Sequence, residues 1–161
     1  MSDFSDIATS LVALITPVVT PALVHARRRW NADWPRYKDA VMVTYSGETD
    51  PRVSVWMVSR ESVASEPGSA FGQIQRTHRM VILGALGFDD ADDTYTRFQD
   101  TVDALLVALD KAKTLSLNDS TLYGIGPSSA RTIGEESLGS LLCHVAEIEV
   151  EVVTVNSVAY T

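Results

Sequence analysis

Few residues in this chain could do chemistry on a substrate, and they stand apart from one another. There is one cysteine, Cys143, and there are three histidines, His25, His78 and His144. None of the histidines has a second ligand at metal spacing, so no zinc-type constellation can be read. Cys143 and His144 are adjacent, which invites a thiolate–imidazole reading. Neighbours in a strand project to opposite faces, however, and cannot hydrogen-bond each other. Gly124-Ile125-Gly126-Pro127 is a lone glycine pair, not placed between a strand and a helix as a phosphate loop would be, and reads as a turn. No Gly-x-Ser-x-Gly, Walker or dinucleotide signature occurs. No catalytic residue, cofactor-binding residue or metal ligand is expected, and the chain reads as a non-enzyme.

Two charged groups suggest contact rather than catalysis. Arg27, Arg28 and Arg29 stand beside Trp30 and Trp34, the mixture that anchors interfaces. The alternative is a solvated loop whose tryptophans tuck into the core. Near the end of the chain, Ala146, Ile148, Val150 and Val152 alternate with Glu147, Glu149 and Glu151. A period of two makes this a strand with one apolar and one acidic face. Three carboxylates on one face repel each other unless water or cations sit opposite. The acidic face is therefore a solvated surface, a surface for a basic partner, or a wall facing something negative that must not stick.

The whole chain has 161 residues and a formal net charge of −8. That length suits a single domain with its own core. The acidic balance argues against gripping a nucleic-acid backbone. A lone cysteine excludes an internal disulfide and reads as buried filler at the start of an apolar strand. The opening residues carry Asp3 and Asp6 instead of a basic leader region. The apolar run Leu11–Val24 is short for a bilayer and holds Pro17 and Pro21. A soluble, intracellular protein without membrane contact is the expectation.

The elements that must position these residues follow from periodicity. Phe4, Ile7, Ala8, Leu11, Leu14 and Ile15 predict a first helix, ended by Pro17. Val18–His25 predicts a short edge strand or extended segment. Residues 34–45 fit a short helix, although Val41, Val43 and Tyr45 fit a strand as well. A strand is expected at Val53–Val58, and another from Phe71 to Leu86 whose near end, with Gln73, Gln75, Arg76, His78 and Arg79, should be wet. Asp89–Asp93 lacks the closing glutamate of a calcium loop and suits a helix start. That helix runs to about Lys113 with the stripe Tyr95, Phe98, Val102, Leu105, Leu106 and Leu109. Polar stretches near 61–70 and 127–139 are expected as mobile loops.

Several segments together resemble a known group. They are Val24-His25-x-x-x-Arg29-Trp30-x-x-Asp33-Trp34, Val55-Trp56-Met57-Val58-Ser59-Arg60, Arg76-Thr77-His78-Arg79, Asp89-Asp90-Ala91 leading to Phe98-Gln99, and Leu142-Cys143-His144 with Glu147. They resemble small tailed-phage and prophage proteins of the tail-terminator and neck type, over most of the chain from Val24 to Glu151. The resemblance implies an α+β domain: a mostly antiparallel sheet of four or slightly more strands against two main helices. It implies a homo-hexameric ring that ends the tail tube and offers a platform to the head-side connector. Its partners would be other copies, the tail tube (and the sheath if the tail is contractile) and the connector, with DNA passing through unbound. Localisation would be the virion, after assembly in the host cytoplasm. The segment Val18–Tyr45 is an addition to that pattern, and the alternative is a neck or head-completion adaptor or a monomeric tail-assembly chaperone.

Overall fold

A computed structural model of the chain describes residues 3–29, 34–112 and 121–157. In chain order it contains α1 (Asp3–Val19), β1 (Leu23–His25), α2 (Trp34–Val41), β2 (Met42–Val43), β3 (Arg52–Pro67), β4 (Gln73–Gly87), α3 (Thr94–Lys111), β5 (Thr121–Ile125), β6 (Ser129–Leu138) and β7 (Leu141–Ser157). All the strands join one sheet, in the order β1-β3-β4-β7-β5, with β2 also on β3 and β6 also on β7. β7 pairs with β4 along the whole of β4, from Gln73 opposite Ser157 to Gly87 opposite Cys143. Its other edge is shared by β6 and β5.

The alternation of β7 decides which way the sheet faces. Ala146, Ile148, Val150 and Val152 are buried beneath α1 and α3, together with Trp56, Val58, Met80 and Ile82 of the neighbouring strands. Ile7, Leu11 and Ile15 come down from α1, and Phe98, Val102, Leu105 and Leu109 from α3. Each is a position of the helical stripes, and fully burying such a side chain contributes about 1.5–3 kcal/mol. Trp56 lies across Gly84, where a Cβ would sit 2.3 Å from the indole. The same indole stacks on Phe98, with centroids 5.8 Å apart. On the far face a smaller cluster joins Tyr37 and Val41 of α2 to Val53, Val55, Met57, Ala85, Cys143 and Val145.

The expected four-stranded, mostly antiparallel sheet with two helices is corrected by these elements. Among the described residues the sheet has seven strands and is mixed, because β1 runs parallel to β3, and there are three helices. The α+β character remains. Three segments account for the difference. Residues 18–45 supply β1, α2 and β2, so the ambiguous stretch after Trp34 is a helix and then a two-residue strand. The stretches expected as loops near 61–70 and 127–139 are largely strand, in β3 and β6. Backbone pairing, not apolar alternation, holds them in the sheet.

Three local expectations also change. Pro17 lies inside α1 and does not end it. Proline removes one amide donor, but the helix carries on because Val19 is buried and the Thr20 amide reaches the Thr16 carbonyl at 3.1 Å. His78, expected to be wet, is buried with Nε2 at 3.1 Å from Oγ1 of Thr154. Tyr95, placed in the core stripe, is 55% exposed.

Candidate interaction surfaces

The arginine cluster sits at one edge of the sheet. β1 pairs with β3 as far as His25 opposite Met57, and the following residues run on beside β3. Nε of Arg28 donates to Oγ of Ser59 at 3.2 Å, and the Arg29 amide donates to Sδ of Met57 at 3.3 Å. Arg27, Arg28 and Arg29 are all exposed. His25 turns inward and donates from Nε2 to the Ala40 carbonyl at 2.7 Å, which ties the edge strand to α2. Beside the arginines a cavity of about 320 Å³ opens, with Phe4 and Ala8 among its lining residues and Arg27 and Arg29 at its rim. Trp30 lies outside the described residues, and of Trp34 only its backbone place at the start of α2 is described.

Glu147, Glu149 and Glu151 do share the far face of β7, but they are not left to repel one another. Arg131 of β6 reaches across them. Its Nη2 lies 2.9 Å from Glu147, and its Nη1 lies 2.6 Å from Glu149 and 3.1 Å from Glu61. These carboxylates, Glu61 first, hold the guanidinium firmly protonated. Glu151 stands directly opposite Arg79, whose Nη1 is 3.9 Å from Glu61. Glu147 and Glu149 are half-buried beneath Arg131, whereas Glu151 is exposed. The face is an ion-pair lattice with carboxylates in excess.

Sequence reasoning missed Arg131 because residues 128–139 looked like a loop. A signal was present. Gly139-Ser140 between Leu138 and Leu141 is a two-residue hairpin turn, with Gly139 at φ +64. Counting back from that turn pairs residue 132 with Glu147 and marks the stretch as a strand beside the glutamates; a bulge at Arg131 then turns its side chain onto their face.

Cys143 and His144 point to opposite faces, as strand geometry requires. Cys143 belongs to the far-face cluster, and burial pushes its thiol up to about 11. His144 lies beneath the start of α3, with Nε2 at 3.1 Å from Oγ1 of Thr94. That hydroxyl also accepts from the Asp89 amide at 2.9 Å and lies 3.0 Å from the Asp89 carbonyl. The Glu135 carboxylate is 3.9 Å from His144 Nδ1, too far for a hydrogen bond. The histidine therefore works as a buried polar pin between strand and helix. Among the described residues no group of three or more His, Cys, Asp or Glu side chains could hold a metal ion. No described helix is long and apolar enough to cross a membrane. In comparisons with known proteins, the chain matches no family model and no curated sequence.

Proposed function

We propose that this chain is a structural subunit of a phage virion, placed at the head-proximal end of the tail. Six copies would form a ring that ends growth of the tail tube and joins it to the head connector. The motif resemblance between Val24 and Glu151 supports this reading, and one structural observation carries it. The sheet continues past its apolar core as an exposed ribbon. Glu61–Pro67 of β3 are exposed at every position, yet after a bulge at Glu61 the residues Ser62–Pro67 remain paired with Ile74–Arg79 of β4. Seven residues of strand extend about 23 Å. The overhang carries Val63, 44% exposed, and ends near Phe71, 98% exposed. Among the described residues the β3 edge here has no helix over it, and its exposed apolar side chains suit contact with other subunits. A ring subunit needs surfaces of this kind for its neighbours, the tube and the connector.

The far-face lattice fits the same role. Four carboxylates, Glu61, Glu147, Glu149 and Glu151, stand against Arg79 and Arg131. A wall with that excess would not hold a passing phosphate backbone. Catalysis has no part in this reading.

The decisive experiment deletes the gene and examines the particles by electron microscopy. Tails of irregular, excessive length with heads unattached are expected, together with a six-fold ring on tails that carry the protein. Tails of normal length would sink the terminator role. The added elements β1, α2 and β2 favour one second reading, a neck or head-completion adaptor, which predicts normal tails beside unjoined heads. Absence of the protein from finished particles would instead indicate a monomeric assembly chaperone.

A further inference from the structure

Four exposed large apolar side chains gather around one buried residue. The rings of Phe88 and Tyr95 lie 5.0 and 5.8 Å from that of His144. Leu142 precedes His144 by two residues on the same face of β7, and Ile133 pairs with Ala146, two residues beyond. These four are 45, 55, 49 and 44% exposed, respectively. Isolated apolar residues on a surface are ordinary, but a contiguous group is not. The rim of this group is acidic. Glu135 stands opposite His144 in register with Glu136 beside it, and Asp90 and Asp93 lie exposed before α3. Asp92 is already held by Arg52 and Arg97, at 2.9 and 2.8 Å.

At the opposite edge of the sheet the sign of the charged frame is reversed. The cavity beside β1 has an apolar floor of Phe4 and Ala8 and a cationic rim of Arg27 and Arg29. Arg60 adds a third guanidinium, 5.3 Å above the Phe4 ring. An apolar hollow framed by arginines is complementary in charge to a mound of exposed apolar side chains framed by carboxylates.

We infer that the hollow receives the Phe88–Tyr95 mound of a second copy of this chain, in a head-to-tail contact. Each subunit gives one surface and accepts the other, so the contact is heterologous. Such contacts propagate until a rotation closes them into a ring, or run on as a filament. The contact rests on the two surfaces alone, while its closure into a six-membered ring rests on the terminator reading. Because charge frames both surfaces, association weakens as salt rises.

Two double variants test this by sedimentation velocity. Arg27→Glu with Arg29→Glu reverses the hollow and leaves the mound. Tyr95→Ser with Leu142→Ser strips the mound of apolar surface, keeps its acidic rim and leaves the hollow. All four positions are exposed, so folding is not at stake. Wild-type protein should self-associate, at least about tenfold more weakly in high salt. Each variant alone should be monomeric. An equimolar mixture should form a heterodimer and stop there, since one intact mound meets one intact hollow. That dimer also shows that both variants are folded. If either variant assembles like wild type, or the mixture stays monomeric, the inference is overturned. Variants that still close into six-membered rings would defeat the inference and spare the terminator reading. Wild-type protein that associates only into open chains, with both variants blocked, would do the reverse. Wild-type protein that stays monomeric at millimolar concentration assigns both surfaces to other partners and overturns the inference.

Discussion

The two faces of the sheet are closed by different forces. On one, α1 and α3 bury an aliphatic and aromatic layer from Ile7 to Val152. On the other, α2 covers one end with a small cluster, and Arg131 bridges Glu61, Glu147 and Glu149 over the rest. Apolar burial scales with area and is not screened by salt, whereas ion pairs in partial solvent contribute little and are screened. The first face holds the fold, and the second leaves charge in contact with water.

The largest effect that would break this contrast is Leu105→Ala. Leu105 is fully buried on α3, and truncating such a residue costs about 2–5 kcal/mol. A chemical-denaturation midpoint equal to that of wild type would mean that α3 does not close this face. Next comes Gly84→Ala, which places a methyl against the Trp56 ring. Overpacking of this kind costs about 1–3 kcal/mol, and combining it with Trp56→Leu should recover part of the loss.

The far face should respond to pH instead. Burial raises the Cys143 thiol from 9.0 to about 11, and burial followed by the nearby Cys143 raises the Tyr37 phenol above 10.0. Both are raised in the folded state, so their stabilisation is complete below pH 9 and drains away towards pH 11. Urea midpoints taken across that window should fall, and Cys143→Ala should flatten the curve. In the native protein the thiol should stay silent towards thiol reagents at neutral pH. The smallest effect belongs to Arg131→Met: a slight loss of thermal stability that disappears in molar salt. A loss that persists in salt would mean Arg131 acts through packing, and the contrast between the faces would collapse.

Legibility in the sequence followed the same division. β7 and α3 could be read because burial on one side imprints a period of two or of 3.6 on their residues. Cys143 and His144 were placed on opposite faces by that rule alone. The ribbon Glu61–Pro67 and β6 could not be read in this way, since strands wet on both faces carry no such imprint. Their composition of Ser, Glu, Gly and Pro mimics a loop. Tyr95 was misplaced because a helical stripe is wider than the layer it covers, and its outermost member protrudes. His78 was misplaced because its partner, Thr154, lies 76 residues away. The arginine edge was legible as chemistry, but the hollow beside it was not, because Phe4 and Ala8 reach it from another element.

The central position of β7 also bears on how the protein is made. β7 supplies the bonds that join β4 to β5 and β6, yet it is the last of these strands to be synthesised. Until it arrives, β4 presents an unpaired edge that includes Met80, Ile82 and Leu86, and α3 has only part of its floor. Pairings across such sequence distances make folding slow and leave the waiting intermediate open to aggregation. A nascent chain of this design should be held by cellular chaperones until β7 emerges. Its yield at high expression should then depend more on temperature and chaperone supply than on the stability of the finished fold.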